Sequence, residues 1–185
     1  MKPTLLLPFL LAFTASAFEF TGKVVGVTDG DTITVLFEGK KQYKVRLQHI
    51  DCPETRQPFA TKAKQSLSSK VFGKVVTVKW DEMDRYKRIL GNVYIGKRWV
   101  NVELVSEGLA WHYKFYSKDK TMAAAEVKAG AAKLGIWSML NPTAPWDFRR
   151  GKGVAVIEVG EPNTAVFVSR TGAKYHREDC RFVSK

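Results

Sequence analysis

The chain is poor in cysteine, poor in acidic residues, and has no long apolar run after its first residues. Its 185 residues include two cysteines, Cys52 and Cys180, too few for a disulfide-rich scaffold. Past residue 17 no stretch approaches the ~20 apolar residues that a spanning helix needs. The processed chain is therefore not expected to insert stably in a membrane. No internal repeat and no low-complexity tract is present. Only 18 Asp and Glu stand against 30 Lys and Arg, a net charge of +12. An excess of this size suits a polyanionic partner, nucleic acid or an anionic membrane surface, and says nothing about fold. What the chain does have is apolar and aromatic material: 45% hydrophobic residues, with 5 Trp, 6 Tyr and 11 Phe. That excludes a chain disordered throughout and is enough for one domain with a buried core.

The first 17 residues, MKPTLLLPFLLAFTASA, have the order of an export signal. Lys2 supplies the positive start, Leu5 to Phe13 the short apolar run, and Ala15-Ser16-Ala17 a small-x-small cleavage site. Cleavage after Ala17 would leave 168 residues carrying +11, exported to the periplasm or the medium. Both cysteines would then meet an oxidising compartment. The expected organisation is a signal peptide over 1–17, a folded domain over 18–148, a linker over 149–163 and a short tail over 164–185.

Hydrophobic periodicity predicts a mainly β domain. Val24, Val25 and Val27 lead into Asp29-Gly30, a hairpin signal, followed by a β-branched run from Thr32 to Phe37. In the next strand Tyr43, Val45 and Leu47 alternate with Lys44, Arg46 and Gln48, giving one apolar and one polar face. Residues 59–72 read as a helix, with Phe59, Ala63, Leu67 and Val71 four apart. Val76, Val78 and Trp80 mark a fourth strand, Ile89 to Tyr94 a fifth. Asn101 is expected to cap a short helix over 102–107 that Gly108 ends, and an Ala-rich helix is predicted over 120–134. Three strands, a helix, two strands and two helices predict an α+β, mainly β fold: a five-stranded barrel of the OB type with about three packed helices and a short C-terminal tail.

Five charged residues suggest chemistry. Asp31 follows the Asp29-Gly30 turn, Asp51 and Glu54 lie in the loop after the third strand, Arg46 is on that strand's polar face, and Arg88 follows the charged turn 84–87. Cleavage of a phosphodiester gathers negative charge on the equatorial oxygens, so catalysis there is mostly positioning and electrostatic stabilisation. Arginine forks hold two oxygens at once. Carboxylates and a backbone carbonyl suit a hard divalent cation, and a further carboxylate can orient water or take its proton. Each residue also has a plainer reading, since aspartate is common in turns and arginine is usually a solvated surface charge.

The segments Val27-Thr28-Asp29-Gly30-Asp31-Thr32, Val45-Arg46-Leu47 with Ile50-Asp51-Cys52-Pro53-Glu54, and Asp84-Arg85-Tyr86-Lys87-Arg88-Ile89-Leu90 resemble the signature segments of the staphylococcal nuclease (thermonuclease) family. Val100-Asn101, Leu104-Val105, Gly108-Leu109-Ala110 and Gly135-Ile136-Trp137 are similar to its helical half, so the resemblance covers about residues 20–148. It implies an OB-fold, calcium-dependent phosphodiesterase acting on DNA and RNA and leaving a 3′-phosphate and a free 5′ hydroxyl. It further implies Asp31, Asp51 and the carbonyl of Cys52 as Ca2+ ligands, Glu54 as the water-orienting or general-base carboxylate, and Arg46 and Arg88 as the phosphate clamp. Tyr86 would lie beside the nucleotide and Tyr116 on the pocket wall, with the charges of Arg85 and Lys87 near the substrate. Lys87 stands where the family usually has glycine or another small residue. Lys114 replaces a pocket tyrosine, which implies weaker base stacking and more grip from charge. A secreted, monomeric nuclease is the leading expectation, and a barrel that grips nucleic acid without cutting it is the alternative.

The remaining features have plainer expectations. Lys62, Lys64, Lys70, Lys74 and Lys79, with Arg85 and Lys87, form either a track for the phosphate backbone or a solvated helix face. Trp80, Trp99, Trp111 and Trp137 are expected to pack rather than stack on bases, and His49 and His112 to pack also. His176 and Cys180 supply only two of the four ligands of a structural zinc site, so zinc is not expected there.

Overall fold

The structure is a computed structural model that describes residues 18–152 and the strand segments 155–158, 165–168 and 176–177. The export signal and Cys180 lie outside the described residues. Strands β1 (Phe18–Val27), β2 (Thr32–Phe37) and β3 (Lys41–Leu47) form a meander, and two-residue β4 (Ile50–Asp51) follows. Helix α1 (Ala60–Val71) leads to β5 (Val75–Met83) and β6 (Ile89–Ile95), then β7 (Arg98–Trp99), α2 (Val100–Ser106), β8 (Trp111–His112), α3 (Lys120–Ala131), a 3-10 turn over Gly135–Ser138 and α4 (Pro145–Arg149). Antiparallel pairing gives the order β3-β2-β1-β5-β6, and a parallel pairing of β3 with β6 closes it into the expected five-stranded barrel. Closure leaves no free edge among these five strands.

The alternation in β3 is what the barrel uses. Val45 and Leu47 point inward and are buried, so Arg46 projects from the opposite face. In β6 the same rule buries Ile89, Gly91 and Val93 and turns Leu90 outward. The parallel register pairs Val45 with Ile89 and Arg46 with Leu90. Arg88, two residues before Leu90, is thereby brought to the face that Arg46 occupies. The barrel core of Val24, Ile33, Val45, Val78 and Val93 is sealed by Leu67 and Val71 of α1, Leu104 of α2 and Met122 of α3, all fully buried. Each such side chain contributes roughly 1.5–3 kcal/mol by leaving water.

Three local expectations need correction. Asp29-Gly30 does join a hairpin, but through the four residues 28–31, closed by Thr28 N donating to Thr32 O at 2.8 Å. Gly30 has no left-handed backbone. It is needed because a Cβ there would lie 2.8 Å from both Ala63 Cβ and Cys52 Cβ. In α1 the buried stripe begins at Ala60 rather than Phe59, which adopts φ +66 at the helix start and stays half-buried. Asn101 does not cap α2. It lies inside the helix, fully buried, and its amide braces three backbone groups described below.

Residues 155–158, in the stretch read as a linker, form β9 (Ala155–Glu158), which pairs antiparallel with β10 (Ala165–Val168); β11 (His176–Arg177) pairs on the other side of β10. No helix among the described residues is long and apolar enough to cross a membrane.

Candidate active site

The turn after β1 places Asp31 at the barrel rim. Asp29 Oδ1 accepts from Asp31 N at 3.0 Å, which fixes the turn. Asp31 Oδ2 accepts from Cys52 N at 2.9 Å and pairs with Arg46 at 2.9 Å, and Oδ1 accepts from the Thr32 hydroxyl at 3.1 Å. Arg46 Nη1 also donates to the carbonyls of Leu47 and Ile50, at 3.1 and 3.0 Å, and its Nη2 to Asp51 Oδ1 at 2.8 Å. One guanidinium thus ties together the end of β3, β4 and the β1–β2 turn. Asp51 is 1% exposed, because β4 pairs with β8 with Asp51 opposite Trp111.

Burial dominates the electrostatics. It pushes the Asp31 carboxyl up to about 7, opposed by Arg46 and reinforced by Asp29 and Asp51. Burial also works against the charge of Arg46, but Asp31 and Asp51 outweigh it and raise the guanidinium's affinity for its proton. The Cys52 thiol, buried and beside Asp31, is raised well above its ordinary value, and its Sγ donates to Gly30 O at 3.1 Å. A thiol held in its neutral form is no nucleophile.

Glu54 sits in the following loop. Its N–H donates to Gln57 Oε1 at 2.9 Å, and Gln57 Nε2 donates to Thr143 O at 2.8 Å. Its carboxylate meets a residue that sequence reasoning did not single out for function: Arg149, at the end of α4. Arg149 Nη1 lies 2.6 Å from Glu54 Oε1, and Nη2 lies 2.7 Å from Asp51 Oδ2. Burial opposes the Arg149 charge, and the hydrogen bonds it donates to Asp51 and Glu54 reverse that effect and raise its pKa. In the sequence Arg149 marks the start of the linker. The available signal was Pro145 at a helix start followed by Asp147 and Arg149, a short helix after the 3-10 turn over Gly135–Ser138.

The charged turn 84–87 presents the remaining residues. Asp84 accepts from the backbone N–H of Tyr86 and Arg88, at 2.8 and 3.0 Å, and from Arg88 Nε at 2.7 Å. Arg88 therefore pairs with Asp84 on the shared face of β3 and β6, while Arg46 pairs with Asp31 and Asp51. Lys87 occupies the left-handed region, φ +59, so the turn does require the conformation that glycine adopts freely. The Tyr86 ring is exposed, with the guanidiniums of Arg85 and Arg88 at 4.8 and 5.4 Å from its centroid. Tyr116 is also exposed and packs edge-on against Tyr113, which stacks on Trp146. Lys114 is neutralised by Glu126 at 2.5 Å.

The track of lysines is divided. Lys70 pairs with Glu107, Lys79 pairs with Glu19, and Lys74 caps carbonyls at the end of α1. Trp111 packs between Trp137 and Trp146, and Trp99 stacks on Tyr94. His112 is buried, with Nε2 3.0 Å from Ser117 Oγ.

The donor chemistry suits a hard divalent cation. Asp31 and Asp51 are buried carboxylates at one rim, and the Cys52 backbone N–H donates to Asp31 beside them. An Asp31 carboxyl so disfavoured as an anion is a group whose ionised form a cation would stabilise. Among the described residues no three His, Cys, Asp or Glu side chains form a cage of their own. A cation here would rest on two carboxylates, a carbonyl and water.

Fold and site define an OB-barrel protein whose rim carries an arginine-braced acidic centre. Residues 44–139 match the family described as staphylococcal nuclease homologue. The chain is 42% identical over 147 residues to an uncharacterized endonuclease of Haemophilus influenzae, spanning 80% of this chain and 83% of that protein. It is 40% identical over 143 residues to the micrococcal nuclease of Shigella flexneri, spanning 71% and 82%. With an uncharacterized endonuclease of Escherichia coli it shares 37% identity over 145 residues, 78% and 94% of the two chains. The chain belongs to the staphylococcal nuclease family.

Proposed function

We propose that this protein is an exported, monomeric, calcium-dependent nuclease that hydrolyses phosphodiester bonds of DNA and RNA and leaves 3′-phosphates. The observation that carries this reading is the convergence at one rim of Asp31, Arg46, Asp51 and Glu54, with Arg88 on the same sheet face as Arg46. Asp31, Asp51 and the Cys52 carbonyl would hold the ion. When bound, calcium adds positive charge beside the phosphate and makes its bound water more acidic. Arg46 and Arg88 bind the phosphate oxygens and stabilise the charge that builds on them. Glu54, at the edge of the site, takes a proton from the attacking water. The new bond forms between that water's oxygen and phosphorus, the bond from phosphorus to the 5′ oxygen breaks, and that oxygen takes a proton from solvent water and leaves as the free hydroxyl. Tyr86 and Tyr116 offer exposed rings beside the substrate, with Arg85 and Lys87 adding charge at the turn.

A site with few protein ligands fits the weak affinities of extracellular calcium sites, about 10⁻⁴–10⁻³ M. Such a site fills outside the cell and stays largely empty in a cytosol, which suits an exported nuclease. The test is plasmid DNA incubated with the purified processed chain in millimolar calcium and then in chelator. Cleavage only with calcium supports the reading. Gel retardation without cleavage would establish the binding module instead, and maximal activity at submicromolar free calcium would refute the weak-site argument.

A further inference from the structure

Both carboxylate oxygens of Asp51 are held by guanidiniums. Its Oδ1 is held by Arg46 at 2.8 Å and approached by Arg149 at 3.3 Å, and its Oδ2 is held by Arg149 at 2.7 Å. A divalent cation that binds Asp51 shares an oxygen with one of these guanidiniums and is repelled by its charge. Arg46 is the harder to move: its side chain is 13% exposed, and it also bonds Asp31 and the carbonyls of Leu47 and Ile50. The Arg149 side chain is 42% exposed and reaches in from the end of a five-residue helix. That helix is itself well anchored. Pro145 and Phe148 are buried, Trp146 stacks on Tyr113, and Gln57 ties Thr143 to the Glu54 loop. The backbone is fixed and the long side chain is the part that can swing.

We propose that Arg149 is a displaceable counter-cation of the pair Asp51 and Glu54: it holds both carboxylates in the metal-free protein, yields Asp51 to calcium, and keeps Glu54. The inference rests on the reading of Asp31 and Asp51 as the calcium ligands. It makes Arg149 a positioning residue with two opposed effects. Its charge competes with the ion at Asp51 and so weakens calcium binding. Its 2.6 Å bond to Glu54 holds the proton acceptor in place and so favours turnover.

The two effects separate in one variant. Arg149→Ala should bind calcium about 10-fold more tightly in calorimetric titration without nucleic acid, the equivalent of about 1.4 kcal/mol. The same variant should lose about 10–100-fold in kcat, because Glu54 loses its anchor. Arg149→Lys, which keeps the charge without the fork, should fall between wild type and alanine in both. Arg149→Met keeps the apolar stem and should bind calcium as tightly as alanine, so it serves if the alanine variant unfolds. A structural role alone would weaken calcium binding and turnover together. Calcium affinity unchanged or weaker in a variant that melts like wild type would overturn the inference. A wild-type chain that takes up no calcium would instead overturn the calcium reading on which it rests.

Discussion

Replacing Asn101 with alanine should cost the protein a large part of its stability, and the size follows from three hydrogen bonds. Asn101 is fully buried in the first turn of α2. Its Oδ1 accepts from Val93 N at 2.9 Å, and its Nδ2 donates to Gln48 O at 2.9 Å and to Gly91 O at 3.1 Å. Gly91 O keeps a second partner, Gln48 N at 2.9 Å. Alanine therefore strands Val93 N–H and Gln48 C=O, and a buried unsatisfied group costs about 1–3 kcal/mol. The expected loss is about 2–6 kcal/mol, against a total stability of roughly 5–15 kcal/mol for a domain. At a urea slope of about 2 kcal/mol/M, a loss of 3 kcal/mol lowers the midpoint by about 1.5 M. Urea unfolding followed by tryptophan fluorescence reads this directly. Gln48 lies in the turn between β3, which carries Arg46, and β4, which carries Asp51, so nuclease activity should fall too. Asn101→Asp keeps the acceptor for Val93 but sets a buried carboxylate against two carbonyls, and should be at least as damaging. A loss under about 1 kcal/mol at unchanged slope would refute the bracing role.

Glu54→Gln keeps an oxygen for Arg149 and removes the proposed proton acceptor. It should lower kcat by about 10²–10⁴-fold with little change in melting, and near-normal turnover would remove Glu54 from that role. Arg46→Ala uncovers Asp31 and Asp51, and a broken buried pair costs about 3–5 kcal/mol, so this variant should unfold earlier in urea as well as lose activity; an unchanged midpoint would contradict the burial described. Lys87→Gly should stabilise the domain by about 1 kcal/mol, because an L residue in the left-handed region costs about 1–2 kcal/mol and glycine recovers most of it. A Lys87→Gly variant less stable than wild type would show that the lysine side chain itself holds the turn. Gly30→Ala pushes a Cβ to 2.8 Å from Ala63 and Cys52 and should cost about 1–3 kcal/mol, with activity reduced because Cys52 carries the backbone that binds Asp31.

What the sequence made legible was local. Two-residue alternation in Tyr43, Val45 and Leu47 fixed which way Arg46 points, and the four-residue spacing of Ala63, Leu67 and Val71 fixed the buried face of α1. Asp31, Asp51 and Glu54 were recognisable because their neighbours form compact segments. The features that escaped are made by contacts distant in sequence. Arg149 reaches Asp51 across 98 residues, and no pattern near it encodes that meeting. Lys114 read as a substrate charge because its partner Glu126 lies a loop away, in α3. Asn101 looked like a cap because a polar residue before an apolar run usually is one; only the fold of β6 onto α2 shows that its amide has better partners. Gly30 read as turn chemistry, whereas its necessity comes from Ala63, 33 residues on. Two-residue strands such as β4 and β8 carry too little pattern to be seen and exist through each other.

The three arginines of the site all enter the structure already paired: Arg46 with Asp31 and Asp51, Arg88 with Asp84, Arg149 with Asp51 and Glu54. Binding is then an exchange of partners rather than an addition of charges. A phosphate that takes Arg46 draws it away from Asp31 and Asp51 and leaves two buried carboxylates under-neutralised, a state that is costly alone. A cation that neutralises those carboxylates lowers the cost of Arg46 leaving them for phosphate. On the proposed reading each ligand removes the penalty the other would meet, so calcium and phosphate must strengthen one another's binding by the same factor. On that reading the net charge of +12 attracts the polyanion, and the paired arginines hold it firmly only when the ion is present.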